Sequence, residues 1–151
     1  MSVPGARVLD LFAGSGALGF EALSRGATHV VFIEKSRSVV QIIERNAKSL
    51  GVEDRIEIIM APLLDDAWKQ LGKHPLFDIV MADPPYSEGW EERLLSEAPW
   101  NQLLQPQGLF VLEWGLKKAQ VPALPDQSGK LVKVREKNYG DSVLTTFEMQ
   151  V

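Results

Sequence analysis

Short apolar runs alternating with amphipathic stretches dictate the architecture of this chain. His29-Val30-Val31-Phe32-Ile33 is a continuous β-type run, too short for a helix and apolar at every position after the histidine. A run of this kind suits a strand covered on both faces, as in a parallel sheet flanked by helices. Val8 to Leu11, Ile56 to Met60, Ile79 to Ala82 and Leu109 to Leu112 read as further strands. Between them, Ala17 to Arg25 can turn Leu18, Ala22 and Leu23 toward a core before Gly26 stops the helix. From Ser36 to Leu50, Val39, Val40, Ile42, Ile43, Ala47 and Leu50 recur near helical spacing, with Ser36 as N-cap and Gly51 as the stop. Leu63 to Leu71 and Trp90 to Leu104, the latter broken at Pro99, complete the helical set. The alternation predicts an α/β fold: a mostly parallel, twisted sheet with helices on both faces.

The C-terminal section departs from this rhythm. Leu131 to Lys137 and Val143 to Met149 read as two strands around Asn138-Tyr139-Gly140-Asp141, an antiparallel hairpin closing the sheet. The Pro-rich and polar stretch Gln120 to Gly129 reads as a surface connection. A chain of 151 residues fits a single domain over 1–151, large enough to bury about 68–70% of its unfolded surface without a disulfide. Cysteine is absent, which excludes disulfides, a thiol nucleophile and Cys-ligated zinc. His29 and His74 stand in unrelated contexts and predict no metal centre. No run approaches the length of a membrane span and no signal peptide is visible at Met1, so a soluble, cytoplasmic monomer is expected.

The formal net charge of −4 is unevenly spread. Residues 1–114 carry 10 Lys/Arg against 16 Asp/Glu, and residues 115–151 carry 6 against 4. A locally basic surface is what phosphate contact requires. Lys133, Arg135 and Lys137 alternate and would share one face of a strand, while Lys117 and Lys118 could extend the patch; these five are the candidate RNA-binding cations.

Asp10-Leu11-Phe12-Ala13-Gly14-Ser15-Gly16 follows the first strand and opens the first helix, the place where open α/β sheets bind ligands. Gly14 and Gly16 permit close approach to the backbone. Glu34 ends the second strand, 18 residues after Gly16, where an acidic side chain can accept hydrogen bonds from both ribose hydroxyls. Loop and acid together point to an adenosine-type nucleoside. With Gly19 the glycines also satisfy G-x-G-x-x-G, so a nicotinamide oxidoreductase stays open on glycines alone. Asp10 discriminates by charge: it would repel a pyrophosphate and attract the ammonium of a methionine-derived group, which favours S-adenosylmethionine.

Asp83-Pro84-Pro85-Tyr86 follows the strand that ends at Ala82. Two prolines fix successive φ angles and leave carbonyl acceptors without donors, while Asp83 adds a carboxylate. Such a turn can hold an –NH2 group, and Tyr86 offers a face on which a nucleobase can stack. The same residues also suit an ordinary strand-terminating turn.

These motifs, in this order and spacing, resemble class I S-adenosylmethionine-dependent methyltransferases acting on exocyclic amines. The stretch Leu9 to Ala27 is more narrowly similar to the RsmD family, and so is Arg135-Glu136-Lys137-Asn138-Tyr139-Gly140-Asp141. The resemblance covers nearly the whole chain and implies a Rossmann-like fold. It also implies S-adenosylmethionine as methyl donor and guanine N2 of small-subunit (16S) ribosomal RNA as acceptor. Transfer would be direct, with no metal and no covalent enzyme intermediate; Asp83 and Pro84 would accept the amine N–H bonds and Tyr86 would clamp the base. Phe12, Ala13, Ser15 and Lys35 join Asp10, Gly14, Gly16 and Glu34 as cofactor-site candidates. Met60-Ala61-Pro62 stands where many relatives place an acidic or amide residue, so adenine is expected on backbone and apolar contacts at Ala61. The family's N-terminal extension, with a basic hairpin, is expected to be absent from residues 1–151. An adenine-N6 DNA or RNA methyltransferase and a non-catalytic, cofactor-binding nucleic-acid adaptor remain the alternatives.

Overall fold

The computed structural model of the chain describes residues 3–85, 88–115 and 124–151. The elements follow the expected alternation: β1 (Arg7–Leu11), α1 (Ala17–Ser24), β2 (His29–Glu34), α2 (Arg37–Leu50), β3 (Ile56–Met60), α3 (Asp65–Leu71), β4 (Phe77–Ala82), α4 (Trp90–Glu97), α5 (Trp100–Leu103) and β5 (Leu104–Gly115). They continue with β6 (Gln127–Ser128), β7 (Leu131–Tyr139) and β8 (Ser142–Met149). All eight strands form one sheet in the order β3-β2-β1-β4-β5-β8-β7-β6. The strands from β3 to β5 pair in parallel, and β8, β7 and β6 add antiparallel neighbours.

Two apolar clusters flank the sheet. On one face Val8, Val30, Phe32 and Ile79 pack with Ala22, Leu23 and Ile43 of α1 and α2. On the other, Leu9, Leu11, Val80, Phe110 and Phe147 meet Leu71, Leu94, Trp100 and Leu103 of α3 to α5. Consecutive residues of a strand thus serve opposite cores, which explains the unbroken apolar run in β2. Among the described residues no helix is long and apolar enough to cross a membrane.

Gly51 stops α2 at φ 70, as its sequence position predicts, whereas Ser36 occupies the N-cap position without a side-chain capping bond. The hairpin is tighter than expected: Tyr139 pairs with Ser142, leaving Gly140, at φ 55, and Asp141 as the turn. The break at Pro99 separates α4 from α5, and β5 begins already at Leu104 rather than at Leu109. The connection expected over Gln120 to Gly129 contains a short strand, β6, and the buried Leu124; its residues 120–123 lie outside the described residues.

The chain runs outward from β1 through β2 to β3, then returns to place β4 on the other side of β1. Between β1 and β4 the connections therefore diverge. A crevice at such a switch point, beyond the carboxyl ends of the strands, is where α/β sheets take their ligands.

Candidate active site

At that switch point lies a cavity of about 360 Å³, lined by Phe12, Gly14, Ile33, Glu34, Lys35, Ala61, Pro62, Leu63, Leu64, Asp83, Pro85, Glu88 and Trp90. Its size falls within the usual range for a small-molecule site. The walls come from the ends of β1 to β4 and the start of α4.

The glycine loop is held by its own backbone. Ala13 N–H donates to the Ile33 carbonyl at 3.0 Å and Gly16 N–H to the Ala13 carbonyl at 2.8 Å. Gly14 N–H donates to Glu34 Oε1 at 3.1 Å, while Ser36 N–H donates to Glu34 Oε2 at 2.9 Å. The Glu34 carboxylate is thus clamped at the cavity wall with lone pairs to spare for ribose hydroxyls. Ala61 N–H donates to the Glu34 carbonyl at 3.1 Å and draws the end of β3 against the end of β2. Phe12 adopts φ 55, a left-handed conformation that costs a non-glycine residue about 1–3 kcal/mol. Its ring meets the Trp90 ring edge-on, with centroids 4.8 Å apart. The Arg93 guanidinium covers Trp90, 3.9 Å from the ring centroid.

Asp10 is fully buried beneath the loop. Its Oδ2 accepts the Gly19 N–H at 3.1 Å, and its Oδ1 has no hydrogen-bond partner. Burial raises its pKa well above the ordinary carboxylate value, the Gly19 N–H works against that shift, and the nearby charges of Asp83 and Glu34 push it further up. An orphaned carboxylate oxygen beside two more carboxylates is costly unless a cationic or donor-rich group approaches. A methionine-derived ammonium and sulfonium fit that requirement; a pyrophosphate does not.

Asp83 stands at the mouth of the cavity, open to solvent on one side, and Pro84 is buried behind it. In register, Ala82 of β4 lies beside Leu112 of β5, so the next residues, Asp83 and Glu113, are neighbours on one sheet face. Their carboxyl groups are close enough to feel one another's charge. Burial raises the pKa of both, and the charge of Asp83 lifts Glu113 further.

Among the expected cofactor residues, Phe12, Gly14, Glu34, Lys35 and Ala61 line the cavity. Asp10, Ala13, Ser15 and Gly16 do not line it: Asp10, Ala13 and Gly16 are buried and Ser15 is exposed; Gly16, at φ 84, is the N-cap of α1. Tyr86, Lys117 and Lys118 lie outside the described residues. Trp90, Leu63, Leu64, Ile33, Glu88 and Glu113 escaped the sequence reading. Trp90 had a visible signal, an aromatic opening a helix just after the Asp-Pro-Pro turn.

The three alternating cations do not share a face. Lys133 is opposite Phe147 and Arg135 opposite Thr146, a one-residue register shift at Val134. The shift breaks strict alternation. Lys133 therefore turns toward the α4–α5 side, donating to the Leu124 carbonyl at 3.2 Å, with Asp126 at 3.4 Å and Glu136 at 3.6 Å. Arg135 and Lys137 remain together on the opposite face. With Tyr139, Val111 and Leu144 they line a shallow concavity of about 690 Å³, where Lys137 Nζ sits 4.9 Å from the Tyr139 ring centroid.

The sheet order and the cavity beyond β1 and β4 define the Rossmann-like class I methyltransferase fold, and solved structures agree. A putative methylase from Haemophilus influenzae superposes with a TM-score of 0.81 at 31% identity, over 99% of this chain and 89% of that one. A conserved hypothetical protein from Streptococcus pyogenes gives 0.80 at 35% identity, over 97% and 88%. The family described as Conserved hypothetical protein 95 matches residues 1–148, and the chain belongs to it, the RsmD family that its motifs resemble. A putative ribosomal RNA methyltransferase of Bacillus subtilis is 34% identical over 140 residues, 90% of this chain and 72% of that protein. Ribosomal RNA small subunit methyltransferase D of Haemophilus influenzae is 40% identical over 106 residues, 70% of this chain and 54% of that protein. The chain thus spans little more than half the length of that relative, and 58% of its Escherichia coli counterpart.

Proposed function

We propose that this protein transfers a methyl group from S-adenosylmethionine to the exocyclic N2 of a guanine in small-subunit ribosomal RNA. The observation that carries the reading is a set of three acids on one sheet face: Glu34 and Asp83 on the wall of a cavity of nucleoside size, at the end of β2 and just past β4, with Asp10 of β1 buried between them. The relatives named as ribosomal RNA methyltransferases support the choice of acceptor.

S-adenosylmethionine supplies a methyl group bonded to a sulfonium and hence open to attack. Glu34 would accept the ribose hydroxyls, and Ile33, Ala61 and Leu64 would bracket the adenine with apolar surface. The orphaned Asp10 Oδ1 would balance the positive methionine end, directly or through a water. Asp83 and the Pro84 carbonyl would accept the amine N–H bonds and orient the nitrogen lone pair toward the methyl carbon. The new N–C bond forms as the C–S bond breaks with its electron pair left on sulfur. The nitrogen then sheds one proton, for which the Asp83 carboxylate is the adjacent acceptor. Arg135 and Lys137, on the sheet face that carries Asp83, would contact phosphates of the same strand.

Transfer of labelled methyl to naked ribosomal RNA, assembled small subunits and DNA tests this reading. N2-methylguanine in small-subunit RNA is expected, with the rate cut about a hundredfold or more in Asp83→Ala. Equal labelling by wild type and variant would refute the role of Asp83. Label confined to adenine in DNA would overturn the acceptor, and failure to bind S-adenosylhomocysteine would overturn the donor.

A further inference from the structure

The cavity wall that follows β3 has little polar capacity left. Ala61 N–H donates to the Glu34 carbonyl at 3.1 Å, Pro62 has no N–H, and Leu64 N–H donates to the Pro62 carbonyl at 2.9 Å. Leu63 N–H is the remaining backbone donor of this segment, without a partner among the described residues. The side chains of Ile33, Ala61, Pro62, Leu63 and Leu64 line the cavity with hydrocarbon alone. Sheet order decides what meets them. β3 lies on one side of β2, and β1 followed by β4 on the other. A nucleoside whose ribose hydroxyls are held by Glu34 sends its methionine arm toward Asp10 and Asp83, and therefore its base the opposite way, onto residues 61–64. The acceptors of the cavity are placed elsewhere. Glu34 takes the Gly14 and Ser36 N–H groups and faces the ribose, while Asp83 and Glu88 belong to the β4 side. Lys35 also lines the cavity, but an ammonium only donates.

We propose that the wall of residues 61–64 leaves the 6-position of the donor's purine unread, so that the protein binds 6-oxopurine (S-inosyl) ligands nearly as well as adenosyl ones. Selectivity then comes from the ribose and the methionine end. This rests on the S-adenosylmethionine reading above and concerns the same cavity. Adenine carries an amine donor at C6 and an acceptor at N1, whereas hypoxanthine reverses both, with an oxo acceptor and an N1–H donor. A site that pairs each of these groups rejects the exchange strongly, because its own buried polar groups are left unmatched. Here no side chain of the wall accepts a hydrogen bond. The donors within reach, Leu63 N–H and Lys35, are met by adenine N1 or by the hypoxanthine oxo group alike. Leu64 is 55% exposed, so the wall opens to solvent beside it and water can pair with either group at C6. Ala61 is the specificity-determining position: an aspartate there would supply the acceptor that alanine lacks.

Titration calorimetry on the wild-type chain compares S-adenosylhomocysteine, S-inosylhomocysteine and 2′-deoxy-S-adenosylhomocysteine. The 6-oxo ligand should bind within about tenfold of the parent, the worth of at most one neutral hydrogen bond. The 2′-deoxy ligand, which deprives the Glu34 carboxylate of a donor, should lose about tenfold or more. A loss beyond about tenfold for the 6-oxo ligand overturns the proposal, since it would reveal a fixed acceptor, a backbone carbonyl included, against the amine. Ala61→Asp should raise the ratio of adenosyl to inosyl affinity about tenfold or more, and Pro62→Asp repeats the test one residue on. A ratio unmoved in both variants overturns the placement of the purine on this wall. The wild-type ratio is read without either variant, so a variant that fails to fold leaves that decision intact. Failure of all three ligands to bind overturns the donor reading, and an undiminished 2′-deoxy affinity overturns the anchoring at Glu34; either takes the proposal with it. Tight binding of the parent with a large loss on the 6-oxo change overturns the proposal alone.

Discussion

Gly19→Ala sets two effects of opposite sign against each other. Gly19 lies in α1, where alanine is favoured over glycine by about 1 kcal/mol in an open helix. Propensity alone therefore predicts a more stable protein. Geometry predicts the reverse: a Cβ built on Gly19 would lie 2.3 Å from Phe32 Cε1, 2.6 Å from Phe32 Cζ and 3.0 Å from Val30 Cγ1. Carbon atoms in good contact stand about 3.5–4.0 Å apart, so the overlap with the ring exceeds an ångström. Phe32 has no solvent exposure, and its ring already packs on Phe20 at 5.2 Å between centroids. It has nowhere to swing, and relief must come from moving α1 off the sheet. Overpacking of this kind costs about 1–3 kcal/mol, and a clash with two ring atoms and a β-branched methyl belongs at the upper end. The net is a loss of about 1–2 kcal/mol, a fall in Tm of roughly 2–8 °C for a chain of this length. Movement of α1 also strains the Gly19 N–H bond to Asp10 and the loop ahead of it. S-adenosylhomocysteine affinity should then drop about tenfold if 1.4 kcal/mol of that strain is felt at the loop. Scanning calorimetry gives the first quantity and titration calorimetry the second. A Tm equal to or above wild type would refute the packing argument and return the decision to helix propensity.

Trp90→Ala removes the edge-on partner of Phe12 and one cavity wall. It should weaken S-adenosylhomocysteine binding about tenfold, and unchanged affinity in titration calorimetry would exclude Trp90 from the site. Asp10→Asn removes a buried charge. A carboxyl whose folded pKa is raised contributes stability that is full below its unfolded pKa and lost as pH rises through the folded value. The variant should therefore gain Tm over wild type at neutral and alkaline pH, lose that gain in acid, and bind S-adenosylhomocysteine less well. A gain that persists undiminished in acid would contradict the linkage. Arg135→Ala and Lys137→Ala should each lower the slope of log affinity for ribosomal RNA against log salt by about 0.7–0.9. Lys133→Ala should leave that slope alone and cost about 1 kcal/mol of stability, because Lys133 is tied to Leu124, Asp126 and Glu136. An equal drop in slope for Lys133→Ala would refute the division of faces.

Local pattern was enough for what is local. The unbroken β2 run demands cover on both faces, Gly51 ends α2, and the loop from Asp10 to Gly16 meets Glu34 because adjacent parallel strands bring their carboxyl ends level. Asp83 declares itself by standing where a strand ends against two prolines. Contacts between distant segments are another matter, since periodicity records which face a residue occupies within its own element but not which strand lies alongside. Asp83 meets Glu113 only because β4 and β5 pair with Ala82 level with Leu112. Trp90 reaches Phe12 only because Phe12 adopts a left-handed backbone that no composition announces. Lys133 parts from Arg135 and Lys137 because one extra residue, Val134, is accommodated in β7 against β8. Such a bulge reverses every side chain beyond it, and it exists only where two strands must be kept in register.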